Sequence, residues 1–312
     1  MRAAHYTLAL IAALLAGCAA NPFDTPAAAR WRTPVELAET PFFPQERYQC
    51  GPAALATVLV RSGVAVTAEA LTPEVYVPAR QGSLQPELLA ASREHGRLPY
   101  VIAPELPALL AEVAAGRPVL VLQNLSVRFA PVWHYAVVIG FTPAESEIVL
   151  RSGTERRRVT DAGVFLRTWQ RSGHWGVVLL RPGELPATAD PQRFLAAAAA
   201  AESSGQLPLA EAAYRAASAR WPDEALAALG LGNVAYARGD ARAAEQWYRR
   251  AVALDGGSLS ALNNLASVLA ERGDCAEASQ LIDRALSLAG PDAPLAAALA
   301  ATRTEVAACR RP

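Results

Sequence analysis

Apolar positions along the 312-residue chain change their spacing three times, and each change predicts a different kind of element. Residues 8–16 are almost wholly apolar. That run is far shorter than the ~20 residues a membrane-spanning helix needs. Residues 21–40 are rich in Pro and Ala with no period, and are expected to be an extended tether. Pro52, Ala53, Ala54, Leu55, Ala56, Val58 and Leu59 then lead to Gly63. A proline in the first turn and a glycine stop predict a helix. Helical spacing recurs over 85–95 and 105–115. Apolar or alternating runs at 119–122, 132–141, 147–151, 156–160 and 175–180 predict strands. Helices first and strands later predict an α+β domain. Pro182, Gly183, Pro186 and Pro191 mark a linker behind it.

Beyond the linker the period becomes 34 residues. Gly205, Gly239 and Gly273 share one phase. So do Ala210, Ala244 and Ala278, then Ala217, Ala251 and Ala285, then Tyr214, Tyr248 and Ile282. Pro222, Gly256 and Gly290 close the units. This is the tetratricopeptide period, with small residues where paired helices touch. Full repeats start at Ala225 and Leu259, a degenerate one starts near Pro191, and residues 295–309 form a capping helix. Such arrays commonly hold a peptide or protein partner in a groove. By analogy Leu229, Asn233, Tyr236, Asn263 and Ser267 line it; the competing reading is ordinary surface.

The 29 Lys and Arg balance the 29 Asp and Glu, so a nucleic-acid partner is not expected. Every basic residue is an arginine, and the densest run, Arg156-Arg157-Arg158, reads as an exposed hairpin face. Of four cysteines, Cys18 ends the short apolar segment in Leu15-Ala16-Gly17-Cys18, behind Arg2. This resembles the bacterial lipobox, in which the cysteine is acylated and becomes the mature N-terminus. Ala19, rather than Asp, follows it, which by analogy implies an outer-membrane lipoprotein facing the periplasm. Cys275 is predicted to start the second helix of the last repeat, and the capping helix returns Cys309 to that start. A Cys275–Cys309 disulfide is therefore expected in an oxidising compartment, adding ~2–4 kcal/mol.

Cys50 carries the chemistry. It stands in Gln45-Glu46-Arg47-Tyr48-Gln49-Cys50-Gly51-Pro52-Ala53-Ala54-Leu55, and Trp133-His134-Tyr135-Ala136-Val137-Val138-Ile139-Gly140 follows downstream. The first motif puts a cysteine at a helix N-terminus, where unpaired N–H groups favour a thiolate. The second puts a histidine on a strand, suited to take the thiol proton and return it to a leaving group. Gln45 is placed to share an oxyanion hole with the Cys50 N–H, with Gln49 as its rival.

These motifs resemble the bacteriocin-processing, double-glycine-leader cysteine peptidases, which are papain-like. They resemble more closely the stand-alone bacterial lipoprotein relatives that carry tetratricopeptide repeats. The resemblance implies Cys50 as nucleophile, His134 as base and Gln45 as oxyanion donor, with no metal and no cofactor. It also implies cleavage after small residues such as glycine. The family's Asp or Asn on the following strand is replaced here by Ser152, which can orient an imidazole without offering charge. The resulting expectation is a lipid-anchored periplasmic cysteine peptidase whose repeats recruit a peptide or protein substrate. Its parts are a signal peptide (1–17), a tether (18–40), an α+β papain-like domain (41–182), a linker (183–192) and an all-α tetratricopeptide solenoid (193–312). A non-catalytic adaptor of the same build is the alternative, and another thiol acyltransferase a third.

Metabolic labelling with an alkyne fatty acid is expected to tag the wild-type protein and to spare Cys18→Ser. Equal tagging of both would exclude lipidation at Cys18.

Overall fold

The computed structural model describes residues 21–44, 49–290 and 295–309. Cys18 and Gln45 lie outside these residues. The strands are β1 (Val35–Glu36), β2 (Leu98–Val101), β3 (Val119–Asn124), β4 (Trp133–Thr142), β5 (Glu147–Ser152), β6 (Glu155–Asp161) and β7 (Gly176–Leu180). The helices between them are α1 (Cys50–Arg61), α2 (Ala68–Val75), α3 (Gln85–Glu94), α4 (Leu106–Ala114) and α5 (Ala162–Gln170). The C-terminal helices are α6 (Pro191–Ser203), α7 (Leu207–Arg220), α8 (Ala225–Ala237), α9 (Ala241–Leu254), α10 (Leu259–Glu271), α11 (Cys275–Leu288) and α12 (Ala296–Cys309). The fold is thus an α+β domain on an antiparallel sheet followed by an all-α array. No described helix is long and apolar enough to cross a membrane.

Contacts divide the chain into two units. One comprises Met1–Arg61, Val66–Ser83 and Ile102–Val177; the other comprises Ser62–Ala65, Leu84–Val101 and Val178–Pro312. The division is not the contiguous one expected from composition, because α3 and β2 cluster with the C-terminal helices.

In the first unit the strand order is β7-β3-β4-β5-β6. β4 pairs with β3 from Trp133 to Val138 and with β5 from Val137 to Thr142. β1 takes up the remainder, Val35 opposite Phe141 and Glu36 opposite Gly140. Gly140 is required there, since a Cβ would stand 2.5 Å from the Val35 carbonyl oxygen. Helix α1 is buried from Gly51 to Leu59 and packs on β4. Asp161 caps α5, accepting a hydrogen bond from the Val164 N–H at 2.8 Å.

Residues 21–40 are not a tether. Phe23 and Ala28 are fully buried, and Phe23 stacks on Phe141 with ring centroids 5.9 Å apart. Trp31 meets the same ring edge-on. A two-residue strand in a Pro/Ala-rich stretch leaves no periodic signal, yet these aromatic contacts bind the segment into the core. Helices α2 and α5 and strands β1 and β2 were likewise not foreseen.

In the second unit the Tyr100 ring of β2 lies 6.5 Å from Phe194 of α6, which in turn meets Trp221 at 5.9 Å. The Tyr100 hydroxyl donates to the Thr188 carbonyl at 2.8 Å. Helices α6 to α11 form three antiparallel pairs in the expected 34-residue phase. Gly205, Gly239 and Gly273 close the turns within the pairs at φ 77°, 79° and 86°, a left-handed conformation that only glycine adopts freely. Cys275 and Cys309 are joined by a disulfide, with Cα atoms 5.7 Å apart.

Helix pairs approach closely at two further glycines. A Cβ on Gly230 would lie 2.2 Å from the Tyr214 ring, and one on Gly232 would lie 2.4 Å from the Tyr248 ring. Gly230→Ala therefore sets two effects against each other. Helix propensity favours alanine by ~1 kcal/mol, whereas forcing apart a buried ring costs ~1–3 kcal/mol. Tyr214 is only 3% exposed, so the clash is expected to win and thermal unfolding monitored by circular dichroism should move to lower temperature. An unchanged or raised midpoint would show that the ring gives way.

Candidate active site

The local order of elements sets Cys50 against the strand that carries His134, and His134 against Ser152. Cys50 is the first residue of α1, and the Gln49 carbonyl accepts the Ala53 N–H, so the helix begins at the sulfur-bearing residue. Gly51 has no room for a side chain: a Cβ would stand 2.2 Å from Ser83 Oγ. Packing of α1 on β4 sets the Cys50 sulfur against the backbone of Tyr135, which hydrogen-bonds to it together with the backbone at Gly51 and at Cys50 itself. Tyr135 is the residue after His134, so the thiol lies against the stretch of β4 that carries the imidazole.

His134 lies on β4, opposite Gln123 of β3. Its Nε2 lies 2.8 Å from Ser152 Oγ, and Ser152 is buried on β5. The pairing of β5 with β6 slips between Leu150 and Ser152. Such a bulge re-aims side chains. With Nε2–H donating to Ser152, Nδ1 keeps the lone pair that takes a proton. Ser152 thus holds the ring without charge.

Electrostatics differ from the sequence expectation of a thiol activated by its helix. Burial pushes the Cys50 thiol above its ordinary 9.0, outweighing the backbone hydrogen bonds that would lower it. Burial, with a smaller contribution from the Arg158 charge, pulls His134 down to about 4. At neutral pH the resting pair is therefore thiol and neutral imidazole, not thiolate and imidazolium.

Two neighbouring features had no sequence signal. Arg151, 4% exposed, donates to the carbonyls of Ala38 at 2.7 Å, Thr40 at 2.9 and 3.1 Å, and Arg156 at 2.5 Å. It ties the chain just upstream of Gln45 and Gln49 to the strand that carries Ser152. The β3–β4 connection is braced by Asn124 Oδ1, which accepts the N–H groups of Ser126 and Val132, both at 3.0 Å. That turn holds Phe129, 91% exposed, and with Val132 and Trp133 forms an apolar rim leading to His134. The nearby carboxylates Glu147 and Asp161 are engaged elsewhere, by the Thr142 hydroxyl and the α5 cap. Among the described residues no cluster of His, Cys, Asp and Glu is suited to hold a metal.

Of the groove residues expected in the repeats, Asn233, Tyr236, Asn263 and Ser267 line one cavity of about 320 Å³. Tyr248 and Asn264 line it too and were not anticipated. Leu229 does not; it packs against the apolar core of the helix array. Its helical phase places it on the inner side of the pair.

Residues 37–177 match the Peptidase_C39 like family. Among solved structures, a candidate C39-like peptidase from Bacillus anthracis is 16% identical, covering 48% of this chain and 98% of its own, with a TM-score of 0.40. The Yersinia enterocolitica type III secretion translocator chaperone SycD is 19% identical, covering 38% of this chain and 81% of its own, with a TM-score of 0.35. SycD in complex with a peptide of the translocator YopD gives the same identity and TM-score, with 90% of that chain covered. No curated protein matches the chain.

A thiol held above 9.0, with an imidazole on the neighbouring strand that stays neutral down to about 4, has a definite pH signature. The thiolate fraction grows about tenfold per pH unit below the thiol pKa. Alkylation of Cys50 by iodoacetamide is expected to climb in that way across the neutral range. A plateau there would reveal a preformed ion pair and overturn the neutral-pair assignment.

Proposed function

We propose that this chain is a cysteine peptidase acting by thiol acyl transfer, anchored through Cys18 to the outer membrane and facing the periplasm. The family match over residues 37–177 supports a peptidase-type domain. The observation that carries the reading is the cluster itself: Cys50 at a helix start, its sulfur on the Tyr135 backbone, and His134 held by Ser152. In this reaction Cys50 Sγ attacks the scissile carbonyl as its proton passes to His134 Nδ1. The imidazolium then protonates the leaving amine, leaving a thioester. Water, deprotonated by His134, attacks the thioester, releases the acid product and regenerates the thiol. Backbone N–H at Cys50, with Gln45 or Gln49, stabilises the oxyanion. The apolar rim from Phe129 to Trp133 suits a peptide side chain better than a small polar substrate. The helix array is read as tetratricopeptide repeats that recruit the substrate or a partner protein, which would raise its local concentration.

One observation favours the second reading, a non-catalytic adaptor. The neutral thiol–imidazole pair lacks the preformed thiolate of a strongly activated nucleophile. The two readings separate on the Cys50→Ala variant. Wild-type protein incubated with a peptide library from a bacterial proteome digest should yield new termini, enriched after small residues, by mass spectrometry. Cys50→Ala should yield none. Ser152→Ala, losing one hydrogen bond worth about 1–1.5 kcal/mol, should be slower by about tenfold. Identical product profiles for wild type and a folded Cys50→Ala would replace the peptidase by the adaptor.

A further inference from the structure

The cavity in the helix array is built from a hydrogen-bond relay with a fixed polarity. The relay starts at Glu202 of α6, a carboxylate, which only accepts. Asn233 Nδ2 donates to Glu202 Oε1 at 2.9 Å, and the Tyr214 hydroxyl donates to Oε2 at 2.7 Å. That choice forces Asn233 Oδ1 to the other side, where it accepts from Asn264 Nδ2 at 3.0 Å and from the Tyr248 hydroxyl at 3.1 Å. Asn264 Oδ1 must then accept, and it does so from Asn263 Nδ2 at 3.3 Å. The last amide in the series is left with its oxygen unpaired. Asn263 Oδ1 is buried and, among the described residues, has no hydrogen-bond partner. It lines the cavity.

A buried acceptor without a donor costs about 1–3 kcal/mol, so a ligand that brings a donor recovers that cost. The surroundings narrow the choice of donor. The Tyr236 hydroxyl, on the cavity wall, donates to Glu271, and Ser267 Oγ donates to Glu305 Oε2 at 3.3 Å. Both hydroxyl protons are thereby turned away from the cavity, and each brings a carboxylate to its edge. No arginine lines the wall. The relay is fed from the first helix of each pair, α6, α8 and α10, and Glu305 lies on α12. The wall therefore combines an unpaired acceptor with carboxylates at its edge, its two hydroxyl protons being engaged by those carboxylates and the amides of Asn263 and Asn264 each using one of two N–H donors inside the relay.

We infer that this cavity binds the basic side chain of a peptide, an arginine or a lysine. Its guanidinium or ammonium donates to Asn263 Oδ1 and is neutralised by Glu271 and Glu305. A volume of about 320 Å³ accommodates one such side chain with part of its backbone. The inference gives a chemistry to the recruiting role proposed above for the array, and it does not depend on the thiol chemistry at Cys50.

The test uses the full chain carrying Cys50→Ala, so that binding is read without cleavage. Four heptapeptides, Ala-Gly-Ser-Xaa-Ser-Gly-Ala with Xaa arginine, lysine, citrulline or glutamate, and spermidine are titrated by nuclear magnetic resonance. The arginine and lysine peptides should bind, citrulline should bind about three- to tenfold more weakly, and glutamate should not bind measurably. Glu271→Gln with Glu305→Gln should bring the arginine peptide to the citrulline level, and Asn263→Ala should weaken both. If Asn263→Ala does not fold, the exposed Glu→Gln pair decides alone. The inference is overturned if citrulline matches arginine, if glutamate binds best, if the Glu→Gln pair changes nothing, or if no peptide binds at millimolar concentration. Spermidine binding as tightly as the arginine peptide would make this a polyamine site and overturn it as well. Intact library cleavage alongside failed peptide binding would reject the inference while leaving the peptidase proposal standing.

Discussion

The candidate site depends on the pairing of β4 along both of its edges. One edge of this strand is covered by β3 and then by β1, and the other by β5 from Val137 to Thr142. A buried strand with an open edge would leave backbone groups unpaired at a cost of 1–3 kcal/mol each. The short β1 is what closes the second half of the edge, and Gly140 is what lets its backbone in. Closure fixes β4 as a rigid, buried platform from Tyr135 to Phe141. His134 sits at the start of that platform, and α1 lies across it. A thiol carried by a helix and an imidazole carried by a strand keep a fixed relation only if neither element is free to slide.

The same burial explains the resting protonation. A helix N-terminus and backbone N–H donors stabilise a thiolate by a limited amount, and desolvation opposes them. Around Cys50 the desolvation is larger. Around His134 burial and Arg158 act in the same direction, against the imidazolium. A carboxylate in place of Ser152 would have favoured the imidazolium; a hydroxyl does not. The neutral pair is thus the electrostatic counterpart of the serine substitution that was visible in the sequence.

Cys50 and His134 were legible because their local contexts are distinctive: a Gly-Pro helix start and a β-branched strand. Ser152 was legible because it falls at the end of the next strand. Arg151, one residue earlier, was not, since nothing in a strand sequence says that a guanidinium will turn inward to carbonyls of Ala38 and Thr40. The segment 21–40 was misread for a related reason. Its burial rests on Phe23 and Trp31 meeting Phe141, a contact more than a hundred residues away in sequence that no local period encodes. The C-terminal helices were the most legible part, because a 34-residue recurrence repeats one packing solution and exposes its small residues at each turn. Even there, Leu229 is half-buried and packs against the core of the array, while Asn233, Tyr236, Asn263 and Ser267 line the cavity.

Arg151 and Asn263 show how buried polar groups divide into two kinds. The guanidinium of Arg151 is spent on three backbone carbonyls, all within the protein, so its contacts account for its burial and its part is to position. The relay that begins at Glu202 works the other way. Every member is satisfied by the one before it, and the polarity of an amide passes the deficit along until it reaches Asn263. Orphaned buried atoms occur elsewhere, such as Ser83 Oγ and Trp31 Nε1. What sets Asn263 apart is that its deficit is the forced outcome of an ordered network and falls on a residue that lines a cavity. A hydroxyl can rotate to relieve such a deficit; an amide locked by its neighbours cannot, because reversing it would set two oxygens against each other at Asn264. The unpaired acceptor is therefore a property of the whole series from α6 to α10, and it persists until a donor enters from outside.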